Sequence, residues 1–200
     1  MNLNNIKKSK KLLTDSALII FSVLFALFIN ECRNGTVERT KTKKMLANIE
    51  VEVLNNQEIL KELRTYHIDV LDNIKKAYEQ DSVENVFFPG NVFILHKVAD
   101  DGIIQETLTD IAWEIGKQNN ISSRIDFDKS LLLYEAYEQQ RVVNETIDRI
   151  INLISNREIM RKELLDESII VLARLFNELT GQEGVLLKDY ENALKILKEK

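Results

Sequence analysis

The sequence predicts an all-α protein: one N-terminal transmembrane helix running into an antiparallel helical bundle with a loop excursion. Three observations carry this. An apolar stretch near the N-terminus is flanked on both sides by basic residues. Beyond it, apolar residues recur in alternating steps of three and four. Helix breakers are scarce, with one proline and six glycines in 200 residues, and no period-2 segment of useful length occurs.

The charge is divided unevenly. Residues 1–44 hold nine Lys or Arg against three acids, and residues 45–200 hold eighteen against twenty-nine. An acidic main body argues against a nucleic-acid partner, because phosphate contacts need clustered basic side chains. One cysteine excludes an internal disulfide framework and a thiolate zinc site, so no cofactor or metal is expected.

Residues 1–11 read as a basic tail carrying Lys7, Lys8, Lys10 and Lys11. Residues 12–32 read as a transmembrane signal anchor. Leu12 to Ile29 makes eighteen residues, and at about 1.5 Å each they reach most of a ~30 Å hydrocarbon core. Asp15 falls at headgroup depth, where an acid is cheaper than at the bilayer centre, and at the positive end of the helix dipole. A cleaved signal peptide fits less well. No small-x-small site follows the span, and Glu31 stands where a lipoprotein site at Cys32 needs a small residue. Ser22 and Ala26, four apart, offer a small-residue face within the span. Basic residues nearly balance across the span, and the short tail favours a bundle outside the cytoplasm.

Residues 33–200 read as the bundle domain. Leu46, Ile49, Val53, Asn56, Leu60, Leu63, His67, Val70, Ile74 and Ala77 form a stripe of about four heptads. Only Gly35 interrupts the way from the anchor, so one helix can run through both. Asn56 and His67 break the apolar seam, either as register-setting polar positions or as a small buried site. Residues 80–105 change character: they hold the only proline, Phe87, Phe88, Phe93 and His96, and read as an excursion packing its own aromatics. A short helix follows over Thr107 to Lys117, with Thr107 and Asp110 at capping-box spacing. Its apolar face is Leu108, Ile111, Ala112 and Ile115, with Trp113 beside it. The next helix opens near Asp126 or Asp128 and carries Leu133, Ala136, Gln140, Val143, Ile147, Ile150 and Ile154. Another carries Leu165, Leu172, Leu175 and Leu179 and ends at Gly181 and Gly184, before a last helix from Leu187 to Lys198.

No catalytic motif emerges. A phosphate loop, a nucleophile elbow, HExxH and the ExxH pairs of di-iron bundles are all missing. Asp100-Asp101-Gly102 lacks the alternating ligands and closing Glu of a calcium loop.

Three strings carry a resemblance: DSALIIFSVLFALFIN from Asp15 to Asn30, TDIAWE from Thr109 to Glu114, and LYEAYE from Leu133 to Glu138. In this order the chain resembles a bacterial family of short, N-terminally membrane-anchored helical proteins with no established activity. Those have an acidic residue opening the span, an A-L-x-x-N exit and a later S/T-x-x-A-W-E helix. The chain departs at Ser22, where the family has glycine, and at Cys32, where it has tryptophan. The resemblance implies architecture and a place in the bacterial inner membrane, and no chemistry.

Three function classes remain. A non-enzymatic interaction or scaffold protein, binding a protein partner or forming a homo-oligomer beside the membrane, suits the heptad seams and acidic exterior best. A sensor-like module would bind a small ligand between helices near the excursion and Trp113. A hydrolase would need carboxylates that no motif reveals. The residues singled out for interaction or packing are Trp113, Phe87, Phe88, His96 and His67.

Overall fold

The computed structural model describes residues 3–102, 107–156 and 161–199. The first two residues of the basic tail and the last three of the excursion, 103–105, lie outside them, as do the side chains of residues 3–17, Asp15 included. Every regular element among the described residues is helical: α1 (Leu3–Glu79), α2 (Val83–Phe87), α3 (Ile111–Gln118), α4 (Phe127–Ser155) and α5 (Leu165–Lys198). Short 3-10 turns occupy Pro89–Asn91, Ile121–Ser123 and Lys162–Leu164.

The chain divides into two compact units, Met1–Lys44 and Met45–Lys200. The first consists of the N-terminal part of α1. Its apolar residues from Leu18 to Ile29 are all more than half exposed, and the helix is long and apolar enough there to cross a membrane. Phe21 and Phe25 stack at 5.9 Å. The Ser22 hydroxyl donates to the Leu18 carbonyl at 2.8 Å, a bond that satisfies a polar group within its own helix. Gly35 does not break α1, since one helical glycine costs only about 1 kcal/mol relative to alanine.

The second unit holds the core. Along α1, Ile49, Val53, Asn56, Leu60, Leu63, His67, Val70, Ile74 and Ala77 are all buried. A heptad repeat keeps one stripe turned inward, and a buried Leu, Ile or Val side chain contributes roughly 1.5–3 kcal/mol. Polar pairings fix how the long helices run. Asn56 meets Gln140, and Glu52 meets Tyr137, so α1 and α4 rise together. Arg149 meets Glu178, and Gln139 meets Gln182, so α5 descends beside α4. Asp126 caps α4 by accepting from the Asp128 N–H at 2.9 Å, which fixes the start of that helix.

Three sequence expectations change. Residues 80–102 do not form a self-contained excursion. Val83, Phe87, Val98 and Ala99 are buried in the main core, although Phe87 and Phe93 do stack at 6.3 Å. Gly90 turns this segment with φ +65°, a conformation glycine adopts without strain. The short helix α3 begins at Ile111 rather than Thr107, and its buried residues are Trp113 and Gly116, while Ile111 and Ile115 are exposed. Finally, α5 runs through both glycines as one helix. The apolar stripe on its buried face continues past them through Leu186, Tyr190 and Ala193, and that burial outweighs two glycine penalties.

Candidate functional site

Two polar clusters interrupt the core of the second unit, and they differ in how completely they are satisfied. The first surrounds the start of α3. Asn56 donates through Nδ2 to the Thr109 carbonyl at 2.6 Å and accepts from the Thr109 N–H at 3.0 Å. Gln140 donates to the same carbonyl at 3.2 Å and accepts from the Tyr190 hydroxyl at 2.7 Å. Glu52 accepts from the Ala112 N–H at 2.8 Å, the Trp113 N–H at 3.3 Å and the Tyr137 hydroxyl at 2.6 Å. Asp110, at the N-cap position itself, makes no side-chain cap bond, so a carboxylate from α1 takes that role. Burial, then the Glu52 contact, pushes the Tyr137 phenol well above the ordinary phenol range; burial does the same for Tyr190. Trp113 is 3% exposed and stacks flat on Tyr137 at 5.2 Å. This cluster joins α1, α3, α4 and α5, and among the described residues none of its buried side-chain polar atoms lacks a partner.

The second cluster is incomplete. His67 Nδ1 lies 2.6 Å from Glu183 Oε1, and the two side chains are 1% and 0% exposed. The Phe176 ring meets the imidazole edge-on at 5.9 Å. The other polar atoms of the pair, His67 Nε2 and Glu183 Oε2, are buried without a hydrogen-bond partner among the described residues. Leaving such an atom unpaired costs about 1–3 kcal/mol, and more for a charged group. Native structures rarely carry that cost without a reason.

A cavity adjoins the pair. It has a volume of about 300 Å³, and its walls include His67 and Glu183 together with Thr107, Asn144 and Asp148. The remaining walls are aliphatic: Leu60, Leu63, Leu108, Val143, Ile147 and Ile151. Thr107, Asn144 and Asp148 are exposed and mark its mouth. No Ser or Cys lines it, and no cluster of three His, Cys, Asp or Glu fit to hold a metal occurs among the described residues. The walls therefore offer hydrogen bonds, negative charge and apolar surface, which is the equipment of a binding site.

The residues singled out in the sequence are scattered over the chain. His67 lies in the cavity wall, while Trp113 belongs to the joint around Glu52. Fifteen residues of α1 separate Glu52 from His67, about 22 Å at a helical rise. Phe87 is core, Phe88 is half-buried and His96 is exposed; none of the three lines the cavity. Ser22 and Ala26 are exposed in the first unit. Glu183 and Glu52 escaped the sequence reading. Glu183 had a legible signal: Leu172, Phe176, Leu179, Glu183, Leu186 and Tyr190 alternate steps of four and three, so Glu183 breaks an apolar stripe as His67 does. Ending the helix at Gly181 cut that stripe before its polar member. No family model matches the chain, and neither a curated protein nor a solved structure matches it.

Proposed function

We propose that this chain is a single-pass, membrane-anchored helical bundle of the bacterial inner membrane, with α5 antiparallel to α1 and α4, that binds a small ligand outside the cytoplasm, without catalysing a reaction on it. The observation that supports ligand binding is the His67–Glu183 pair, which lines a cavity and carries two buried, unpartnered polar atoms. The exposed apolar segment supports the anchor, and the lysines that precede it, Lys7, Lys8, Lys10 and Lys11, support its orientation. Ligand binding between helices is sensor-like in character.

Filling the cavity tests this. Ile147→Trp places an indole where the ligand would sit. Wild-type protein extracted gently from membranes should release a small molecule, detected by mass spectrometry, that the Ile147→Trp protein lacks. Identical small-molecule profiles from two folded proteins would count against the reading.

A second reading, an interaction or scaffold protein, draws on a different surface. Phe127, Leu131 and Tyr134 lie four and three apart on α4 and are all exposed, Phe127 by 76%. A stripe of this spacing suits a partner helix or a second copy of the chain. Cross-linking from Tyr134 in membranes to a defined protein, lost in Phe127→Ser, would favour it.

A further inference from the structure

We infer that the cavity's ligand is a small protonated primary amine with an apolar body. This rests on the ligand-binding reading and adds the chemical class.

Charge comes first. Two carboxylates, Glu183 in the wall and Asp148 at the mouth, line the cavity, and no Lys or Arg does. The guanidinium of Arg64 is turned onto α5 instead, where its Nε donates to the Thr180 carbonyl at 3.2 Å. An anion entering this cavity would meet two like charges and no counter-charge, in surroundings where Coulomb energies are large. A cation meets the opposite.

The hydrogen-bond inventory points the same way. Glu183 Oε1 is the acceptor that faces His67 Nδ1 at 2.6 Å. Glu183 Oε2 is also an acceptor. It is buried without a partner, and it calls for a ligand that donates. An ammonium group carries three donors and no acceptor. One of them can reach Glu183 Oε2, and the cation neutralises the Glu183 charge, which is otherwise costly to bury.

Size and walls define the rest of the molecule. At about 30 Å³ per water-sized group, a cavity of about 300 Å³ admits about ten non-hydrogen atoms. Six aliphatic side chains surround that space, so the body carried by the amine is hydrocarbon, aliphatic or a single aromatic ring.

The experiment is isothermal titration of the full chain in detergent micelles with three matched probes: phenethylamine, 2-phenylethanol and 3-phenylpropanoate. The Ile147→Trp protein serves as the reference for partition into micelles. Saturable binding of phenethylamine is expected, absent from Ile147→Trp and weakened about 10- to 100-fold in Glu183→Gln. Should Glu183→Gln fail to fold, Asp148→Asn, exposed at the mouth, should weaken the amine about two- to fivefold. Saturable binding of the alcohol or the acid without the amine overturns the amine assignment and leaves the ligand-binding reading standing. Amine binding undiminished by Glu183→Gln, or by Asp148→Asn where that variant is used, also overturns the assignment. No saturable binding of any probe by folded protein overturns both.

Discussion

Removing Glu52 should unfasten α3 from the bundle. In Glu52→Ala, the N–H groups of Ala112 and Trp113 and the hydroxyl of Tyr137 lose their acceptor together. The 2.8 Å and 2.6 Å bonds are well formed, and the 3.3 Å bond is weak. A buried donor left without a partner costs about 1–3 kcal/mol, which puts two such losses at roughly 2–6 kcal/mol. Loss of the negative charge at the start of α3 adds about 0.3–1 kcal/mol. Partial entry of water through the shortened side chain offsets some of this, so a net loss of about 3–5 kcal/mol is expected. Glu52→Gln keeps one oxygen for the Ala112 N–H, the shorter of the two backbone bonds, and offers Tyr137 a donor, so about 1–2 kcal/mol should suffice there. Urea unfolding of the detergent-solubilised chain, followed by far-UV circular dichroism, measures the total. Hydrogen exchange places it: protection should fall first at residues 111–118, an eight-residue helix too short to persist alone. If Glu52→Ala changes stability by less than about 0.5 kcal/mol, the size expected of a surface substitution, Glu52 is not the cap of α3.

Three further outcomes are expected. Tyr137 and Tyr190 both keep their protons in the fold beyond the ordinary phenol range, so the unfolded chain loses protons first as pH rises. Their contribution is fully present below about pH 10 and is lost above it at about 1.4 kcal/mol per pH unit for each phenol; Tyr190→Phe should flatten the alkaline decline in melting temperature. Gly181→Ala should stabilise by about 0.5–1 kcal/mol, since nothing lies within 4 Å of the added methyl, whereas Gly116→Ala should destabilise because its methyl would sit 3.2 Å from Ile121 and 3.3 Å from Ile49, both fully buried. Trp113, the only indole, should emit at short wavelength and resist iodide, and Trp113→Ala should cost about 3–5 kcal/mol in chemical denaturation.

The parts of the fold that were readable in the sequence are those governed by local periodicity. The α1 stripe from Ile49 to Ala77 is buried position by position, because a heptad repeat carries its own address. The Asp126 cap was equally local. The start of α3 was not. Thr107 and Asp110 had the spacing of a capping box, but the acceptor came from Glu52, more than fifty residues earlier, and only tertiary packing could place it there. The same holds for the ends of α5. Gly181 and Gly184 are legitimate stop signals by propensity, yet propensity amounts to about 1 kcal/mol each and the buried stripe beyond them to several times that. The candidate site fell between these cases: His67 was visible as a break in one stripe, and Glu183 became visible only once the second stripe was known to be continuous.

Asn56 and His67 show why a polar break in a stripe cannot be interpreted from the stripe alone. They lie on the same face of one helix, eleven residues apart, and are buried to the same degree. Asn56 meets groups that use both ends of its amide, from Thr109 on one side and Gln140 on the other. Its energy is accounted for by a register-setting joint: slipping α1 by one turn would strand the Thr109 backbone and Gln140 together. His67 meets Glu183 through one nitrogen only, so the same slip would strand one bond, while the native register already strands two polar atoms. A pair whose sole task were register would be better made of groups that satisfy each other completely, or of apolar residues, which often replace buried ion pairs at no loss of stability. That asymmetry predicts opposite results for the two positions. Asn56→Leu should destabilise, because it orphans the Thr109 N–H and carbonyl. The double substitution His67→Leu with Glu183→Leu should leave the fold as stable as before or more so, because it removes two unpaired polar atoms and fills apolar space. A double variant much less stable than the wild type would mean that the pair is structural, and the cavity beside it incidental.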